Sequence, residues 1–89
     1  MNEQEPPKIE FPCSYPIKVM GDTTSDFKQA VINIITVHAG PIDLDAVSVR
    51  DSRNGKFQSV TVTITATGVP QLEAIFEDLK ASGRVKMVL

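Results

Sequence analysis

The chain has 89 residues and a mass of 9.7 kDa, which suits one domain with a single core. Hydrophobic residues make up 42% of it and charged residues 22%, which excludes a mainly disordered chain. No apolar run approaches the roughly 20 residues that span a bilayer, and the N-terminus lacks the layout of a signal peptide. One cysteine, Cys13, leaves neither an internal disulfide nor a zinc framework to propose. We therefore expect a cytoplasmic protein in a reducing compartment, with no membrane partner.

Charge is divided unevenly along the chain. The formal net charge is −2, and the first ten residues, with three glutamates and one lysine, account for all of it. These residues are polar and show no hydrophobic period, so we predict a flexible tail at 1–10 and a single domain at 11–89. The domain is electrically neutral, unlike a general nucleic-acid binder, whose clustered Lys and Arg neutralise phosphates. Nucleic acid is therefore not expected as a partner.

The first part of the domain predicts a strand followed by a helix. Every second residue from Tyr15 to Val19 is apolar, which is the period of a half-buried strand. Thr24 or Ser25 can then cap a helix. Five residues then recur at helical spacing, with Ala30 on the same side: Phe27, Val31, Ile34, Ile35 and His38. The helix should end near Gly40, because glycine suits the left-handed position after a helix.

A hairpin is predicted next. Leu44 to Arg50 is the second strand, and Asn54-Gly55 is the strongest short hairpin signal. The third strand alternates serine and threonine with four apolar residues, Val60, Val62, Ile64 and Ala66.

The end of the chain predicts a helix and a short strand. The helix begins near Pro70 and has a narrow apolar stripe, formed by Leu72, Ile75, Phe76 and Leu79. In the last strand, alternation predicts Val85, Met87 and Leu89 on the inner face and Lys86 and Val88 on the outer face.

This element order predicts an α+β fold of the ferredoxin-like βαββαβ type. Both helices cover one face of a four-stranded antiparallel sheet, and the first and third strands are central. The predicted core consists of the inward apolar residues Ile17, Val19, Val31, Ile34, Val47, Val49, Val60, Val62, Ile64, Leu72, Ile75, Phe76, Leu79, Val85 and Met87.

Several stretches together match one family. The residues from Phe11 to Gly21 carry the pattern F-P-x-x-Y-x-x-K-V-M-G, and the helix end at His38-Ala39 and the ending Val85–Leu89 add to it. Over 11–89 the chain resembles the YbeD-like proteins of bacteria, a family of unknown function. The resemblance implies a small cytoplasmic protein with the fold derived above. That fold is similar to ACT regulatory domains, which bind amino acids, and this implies a regulatory role and a ligand turn at Gly21 and Asp22. In those domains the acidic residue comes before the glycine, whereas here Gly21 comes before Asp22, so a tight turn followed by a helix cap is the other interpretation of these residues.

Residues suited to catalysis or metal binding are few. Cys13 and His38 can approach each other in this fold, but no third group is evident that would orient the imidazole. Asp43, Asp45 and Asp51 lack the spacing of a calcium loop. We therefore predict a protein that is not an enzyme, with no catalytic residues, no metal and no cofactor. A small enzyme using Cys13 and His38 is the alternative.

The outer face of the predicted sheet is the remaining candidate. It lacks the aromatic side chains on which RNA-recognition motifs stack bases. It is predicted to present three cations beside two apolar side chains: Lys18, Arg50, Lys86, Met20 and Val88. An ordinary solvated face is one interpretation, and a docking surface for an acidic protein partner or for a homodimer is the other. The predicted function is a non-enzymatic regulatory or adaptor module that acts by protein contact, with or without a small-molecule effector. Weak nucleic-acid binding is a further alternative.

Overall fold

The structure is a computed structural model that describes residues 10–89. The strands are β1 (Cys13–Asp22), β2 (Val47–Asp51), β3 (Phe57–Ala66) and β4 (Val85–Val88). The helices are α1 (Phe27–Ala39) and α2 (Val69–Ala81). The predicted tail, apart from Glu10, lies outside the described residues.

The four strands form one antiparallel sheet in the order β2-β3-β1-β4. Helix α1 connects β1 to β2, and α2 connects β3 to β4. Buried side chains from β1, β3 and both helices form one cluster, so the helices lie together on one face of the sheet. The predicted ferredoxin-like α+β fold is confirmed.

The core lies between the two helices and the face of the sheet that they cover. Its members are apolar and at most 6% exposed: Ile17, Val19, Phe27, Val31, Ile35, Val60, Val62, Ile64, Ala66, Leu72, Ile75 and Leu79. Full burial of one such aliphatic or aromatic side chain contributes about 1.5–3 kcal/mol to folding. Phe27, Ile35 and Ala66 belong to this core although the predicted core omitted them.

The predicted core wrongly includes Val49, which lies on β2. It lies opposite the buried Val60, so it points to the helix side of the sheet as predicted. It is nevertheless 41% exposed. The helices pack mainly over β1, β3 and β4, so the edge strand β2 has little above it. Facing the correct side therefore does not bury Val49.

Strand β4 contains a bulge that changes which side its last residues face. Its register against β1 shifts after Met20, which makes Lys86 the extra residue. Val88 then lies opposite the buried Val19 and packs against the core. Met87 lies opposite Met20 on the other face and is 50% exposed. The predicted inward Met87 and outward Val88 are therefore wrong, because strict alternation does not allow for an inserted residue.

Strand β3 is twice as long as β2 and extends beyond it. The predicted second strand starts at Leu44, but Leu44–Ala46 form a 3-10 turn and β2 begins at Val47. Val47 lies opposite Val62. After Val62, the residues of β3 up to Ala66 have only β1 as a strand neighbour among the described residues.

The ends of the elements mostly follow the sequence signals. Gly40 after α1 and Gly55 in the turn after β2 have φ of 77° and 75°, as their predicted positions require. The start of α1 differs, because no side chain caps it. The Thr24 hydroxyl instead donates to Asp26 at 3.0 Å, and Arg84 donates to the same carboxylate oxygen at 2.8 Å. The Arg84 guanidinium and the Thr24 hydroxyl together lower the pKa of Asp26.

Candidate protein-binding face

The uncovered face of the sheet is built from residues that alternate with the core residues. Along β3 these residues are hydroxyl-bearing, namely Ser59, Thr61, Thr63 and Thr65. Because pairing partners in a sheet point to the same side, the registers extend this polar surface to both neighbouring strands. Thr61 has Lys18 opposite it on β1 and Ser48 opposite it on β2.

Lys18 and Arg50 flank one shallow hollow on this face. Arg50 lies opposite Ser59, two residues along β3 from Thr61, which is opposite Lys18. With strands about 4.8 Å apart and a rise of about 3.4 Å per residue, the two Cα atoms are roughly 12 Å apart. Both side chains line the same hollow, whose volume is about 240 Å³. The hydroxyl-bearing residues Ser48, Ser59 and Thr61 also line it.

Neither of these two cations is neutralised by the described part of the chain. Within residues 10–89, ion pairs join Arg84 to Asp26 and Lys86 to Asp22, and His38 contacts Asp78; none of these contacts includes Lys18 or Arg50. We call Lys18 and Arg50 with the hydroxyls of Ser48, Ser59 and Thr61 the cationic hollow. The sequence had indicated the two cations. It did not indicate the three hydroxyls, because only the register between the strands places them beside the cations.

The structure changes the predicted contribution of Lys86. Its ammonium lies 4.0 Å from a carboxylate oxygen of Asp22, and both side chains are exposed. Asp22 lies at the end of β1 opposite Phe57, on the uncovered face. This face therefore includes a carboxylate that the sequence did not place there, because Gly21 and Asp22 were expected in a turn after the strand. Lys86 is partly neutralised, which leaves Lys18 and Arg50 as the free cations of the predicted set.

Apolar side chains lie beside the cationic hollow. Met20 and Met87 are paired across β1 and β4. The last residue, Leu89, exchanges backbone hydrogen bonds of 3.1 and 2.8 Å with Lys18, and its side chain is 61% exposed. Val88, which was predicted here, is on the opposite face. The apolar part of this face includes Met20, Met87, Leu89 and Phe57, which lies opposite Asp22 and is 42% exposed. Phe57 is an aromatic side chain that the sequence did not place on this face, because β3 begins two residues earlier than predicted.

Gly21 and Asp22 do not form the open ligand turn that was predicted. Both lie inside β1. A Cβ on Gly21 would overlap the carbonyl oxygen of Arg84 and come within 2.5 Å of the ring of Phe27. Protein atoms therefore fill the space beside the Gly21 backbone, which leaves no cradle for a ligand there.

His38 is bound to the second helix. Its Nε2 contacts a carboxylate oxygen of Asp78, and its backbone carbonyl accepts a hydrogen bond from Gln71 at 3.2 Å. Asp78 is the orienting group that the sequence did not reveal, since 40 residues separate the two. Cys13 makes no hydrogen bond with His38 within the described residues, and it packs against the edge of the core. The ring of His38 is thus held by Asp78 on α2.

A second hollow, of about 260 Å³, lies where β3 extends beyond β2. It is lined by the connection from α1 to β2 and by the ends of the central strands, with Ser14, Pro41, Ile42, Asp43, Thr63 and Thr65 among its residues. It contains no cationic side chain. Asp43 stands alone here, and residues 10–89 contain no group of three His, Cys, Asp or Glu side chains suited to a metal ion. Within the same residues, no helix is long and apolar enough to cross a membrane.

These features define a small ferredoxin-like α+β protein with one uncovered sheet face. The chain belongs to the family described as "Protein of unknown function (DUF493)", whose profile matches residues 6–89. The match starts within the predicted tail, five residues before Phe11. The resemblance to a bacterial family of unknown function is confirmed.

Similar proteins cover almost the whole chain. A UPF0250 protein of Pseudomonas aeruginosa is 57% identical over 86 residues, which are 96% of this chain and 92% of that protein. A UPF0250 protein of Azotobacter vinelandii is 58% identical over 84 residues, covering 93% and 91% of the two chains. The solution structure of protein HP0495 from H. pylori has a TM-score of 0.77 at 19% identity, covering 98% and 91%. This last likeness concerns the fold alone.

Proposed function

We propose that this protein is a non-enzymatic regulatory or adaptor module that docks an acidic protein segment on the uncovered face of its sheet. The observation that carries the proposal is the cationic hollow, where Lys18 and Arg50 have no ion-pair partner within residues 10–89. Two cations without partners favour a partner of opposite charge, because complementary charge accelerates encounter and disfavours incorrect partners.

The surroundings of the hollow support a protein as the partner. Exposed methionine and leucine lie beside the cations, at Met87 and Leu89. Protein interfaces combine apolar anchors, with methionine and arginine enriched, with a polar rim. The sheet beneath is held by the core on its other face, so the docking residues have a rigid base.

The alternative of a small enzyme is less well supported. A cysteine nucleophile needs a base within hydrogen-bond reach. His38 instead contacts Asp78, and Cys13 has no hydrogen bond to it in the described chain. The geometry therefore favours binding over catalysis.

The test compares two double variants with the same change of charge. Lys18→Glu/Arg50→Glu reverses the cationic hollow, and Lys28→Glu/Lys80→Glu reverses two exposed lysines on the helices. Capture from the native cell supplies candidate partners, and titration of each purified candidate measures its Kd. We expect at least tenfold weaker binding for the sheet variant, no salt dependence of what remains, and binding by the helix variant close to that of the unmodified protein. Equal binding by all three proteins, or equal loss in both variants, would contradict the proposal.

A further inference from the structure

We infer, building on the proposed function, that the cationic hollow receives a phosphate monoester, carried as a phosphorylated serine or threonine on the docking segment of the partner. The inference starts from charge. A phosphorylated side chain carries a charge of about −1.5 to −2 at pH 7. Lys18 and Arg50 supply two positive charges at one hollow, which one phosphate can neutralise and one carboxylate cannot.

Hydrogen-bonding capacity supports the same ligand. A guanidinium has five N–H donors, an ammonium has three and each hydroxyl has one. These donors converge from three adjacent strands, because Lys18 is on β1, Arg50 on β2 and Thr61 between them on β3. A phosphate monoester has three terminal oxygens that are strong acceptors. Because these oxygens are arranged tetrahedrally, they can accept hydrogen bonds from Lys18 on one side, from Arg50 on the other and from the hydroxyls of the strand between them. A planar carboxylate has two oxygens and uses fewer of these donors.

The size of the hollow leaves room for more than the phosphate. Its volume of about 240 Å³ is shared by both cations and open to solvent. The phosphorylated side chain can enter from above while the peptide backbone stays outside. Met20 and Met87, in the row across the sheet that also contains Ser59 and Arg50, then lie beside the neighbouring residues of the segment. We therefore expect an apolar residue next to the phosphorylated one.

Nucleic acid, the other common carrier of phosphates, fits this face less well. A phosphate chain is bound by a continuous series of cations. Arg53 and Lys56 lie in the turn beyond the hollow, but the carboxylate of Asp22 lies on the uncovered face at the end of β1, beside this turn. Lys86 is already paired with Asp22. The cations therefore favour a single phosphate over an extended backbone.

The experiment titrates isotope-labelled protein with four probes while amide signals are followed by NMR. Three are blocked tetrapeptides, Ala-X-Leu-Ala, in which X is phosphoserine, serine or glutamate, and the fourth is a short oligothymidylate. We expect the phosphoserine peptide to shift the amides of Ser48, Ser59 and Thr61 and to bind at least tenfold more tightly than the glutamate peptide. Its affinity should rise with pH through the second phosphate pKa near 6, because the dianion then predominates.

Variants locate the site. Lys18→Gln and Arg50→Gln should each weaken phosphopeptide binding at least fivefold, whereas Lys28→Gln, on α1, should leave it unchanged. Equal affinity for the glutamate and phosphoserine peptides overturns the phosphate and leaves the acidic docking face intact. If no peptide binds, but the variants of the cationic hollow still bind the protein partner more weakly, the phosphate inference is wrong and the proposed docking of an acidic segment remains. Tighter binding of the oligothymidylate overturns both in favour of nucleic acid.

Discussion

The ring of Phe27, at the start of α1, occupies the space that a side chain on Gly21 would need. Phe27 is 1% exposed, and the backbone carbonyl of Arg84 bounds the same space. A glycine near the end of β1 thus allows helix α1 to begin directly against the sheet. This contact fixes the end of β1 and the chain entering β4 with respect to the helix layer.

We expect Gly21→Ala to destabilise the protein, because either the Phe27 ring or the Arg84 backbone must move. Overpacking of this kind costs about 1–3 kcal/mol. Urea unfolding measures the change. Gly68→Ala is the control, since its backbone is extended and an added Cβ comes no closer than 3.6 Å to Pro70. A loss at Gly21 no larger than that at Gly68 would mean that Phe27 does not fill this space.

The bulge in β4 makes a pair of neighbouring substitutions informative. Val88 is partly buried, so Val88→Asp places a charge against the core and should cost about 2 kcal/mol, because a charge that loses water without gaining a partner is unfavourable. Met87→Asp changes a side chain that is 50% exposed and should cost under about 1 kcal/mol. Thermal or urea melts of the two variants give the comparison. The reverse order of stabilities would restore the regular alternation that the sequence suggested.

The contact of His38 with Asp78 joins the end of α1 to α2. Asp78 has a side chain that is 54% exposed, so solvent weakens the interaction. In a double-mutant cycle of His38→Ala and Asp78→Ala, we expect a coupling free energy of unfolding under about 1 kcal/mol. Glu77→Ala, at a neighbouring exposed position, should show no coupling to His38→Ala. Coupling of the same size at both positions would indicate a general charge effect of α2.

The pair of Asp26 and Arg84 predicts a specific pH dependence. The Arg84 guanidinium holds the pKa of Asp26 below its ordinary value of 3.8. A carboxyl whose folded pKa is lowered stabilises the protein above its unfolded pKa, and this stabilisation is lost as the pH falls through the folded pKa. In Arg84→Met, an NMR titration should show the pKa of Asp26 moved up toward 3.8. The variant should also lose less stability than the unmodified protein as the pH falls below 4. An unchanged Asp26 titration would show that Arg84 does not contact it in solution.

Two kinds of residue show how far the sequence determines this fold. Val60 and Ile17 lie on strands with neighbours on both sides and helices above, so alternation alone predicts their burial correctly. Val49 and Met87 lie on edge strands, where burial depends on how far the helices extend and on one inserted residue. Neither property has a signal in the local pattern of hydrophobicity. The prediction was therefore accurate for the centre of the sheet and wrong for these two residues at its edges, whereas Val47 and Val85 on the same edge strands pack against the core as predicted.

The candidate site follows the same division. Lys18 and Arg50 could be selected from the sequence because each is a cation in a predicted strand. Their convergence on one hollow depends on register, because Thr61 and Ser59 each pair with residues on both sides. The pairing of Lys86 with Asp22 depends on where β1 ends. Contacts between strands far apart in sequence are set by the whole sheet, so they could not be read from any single segment.

The extension of β3 beyond β2 leaves part of one strand edge without a second paired strand among the described residues. The backbone N–H of Ser52 donates to the carbonyl of Phe57, so the backbone groups of Phe57 face the β2 side. Because every second residue of an antiparallel strand bonds to the same neighbour, the backbone groups of Thr63 and Thr65 point to this side too, where β2 is absent. An exposed strand edge of this kind is a template on which another chain can add a strand and begin to aggregate. Here the segment with Pro41 and Ile42 lines the adjoining hollow of about 260 Å³. A strand that added to this edge would therefore enter a hollow whose other wall is formed by this segment.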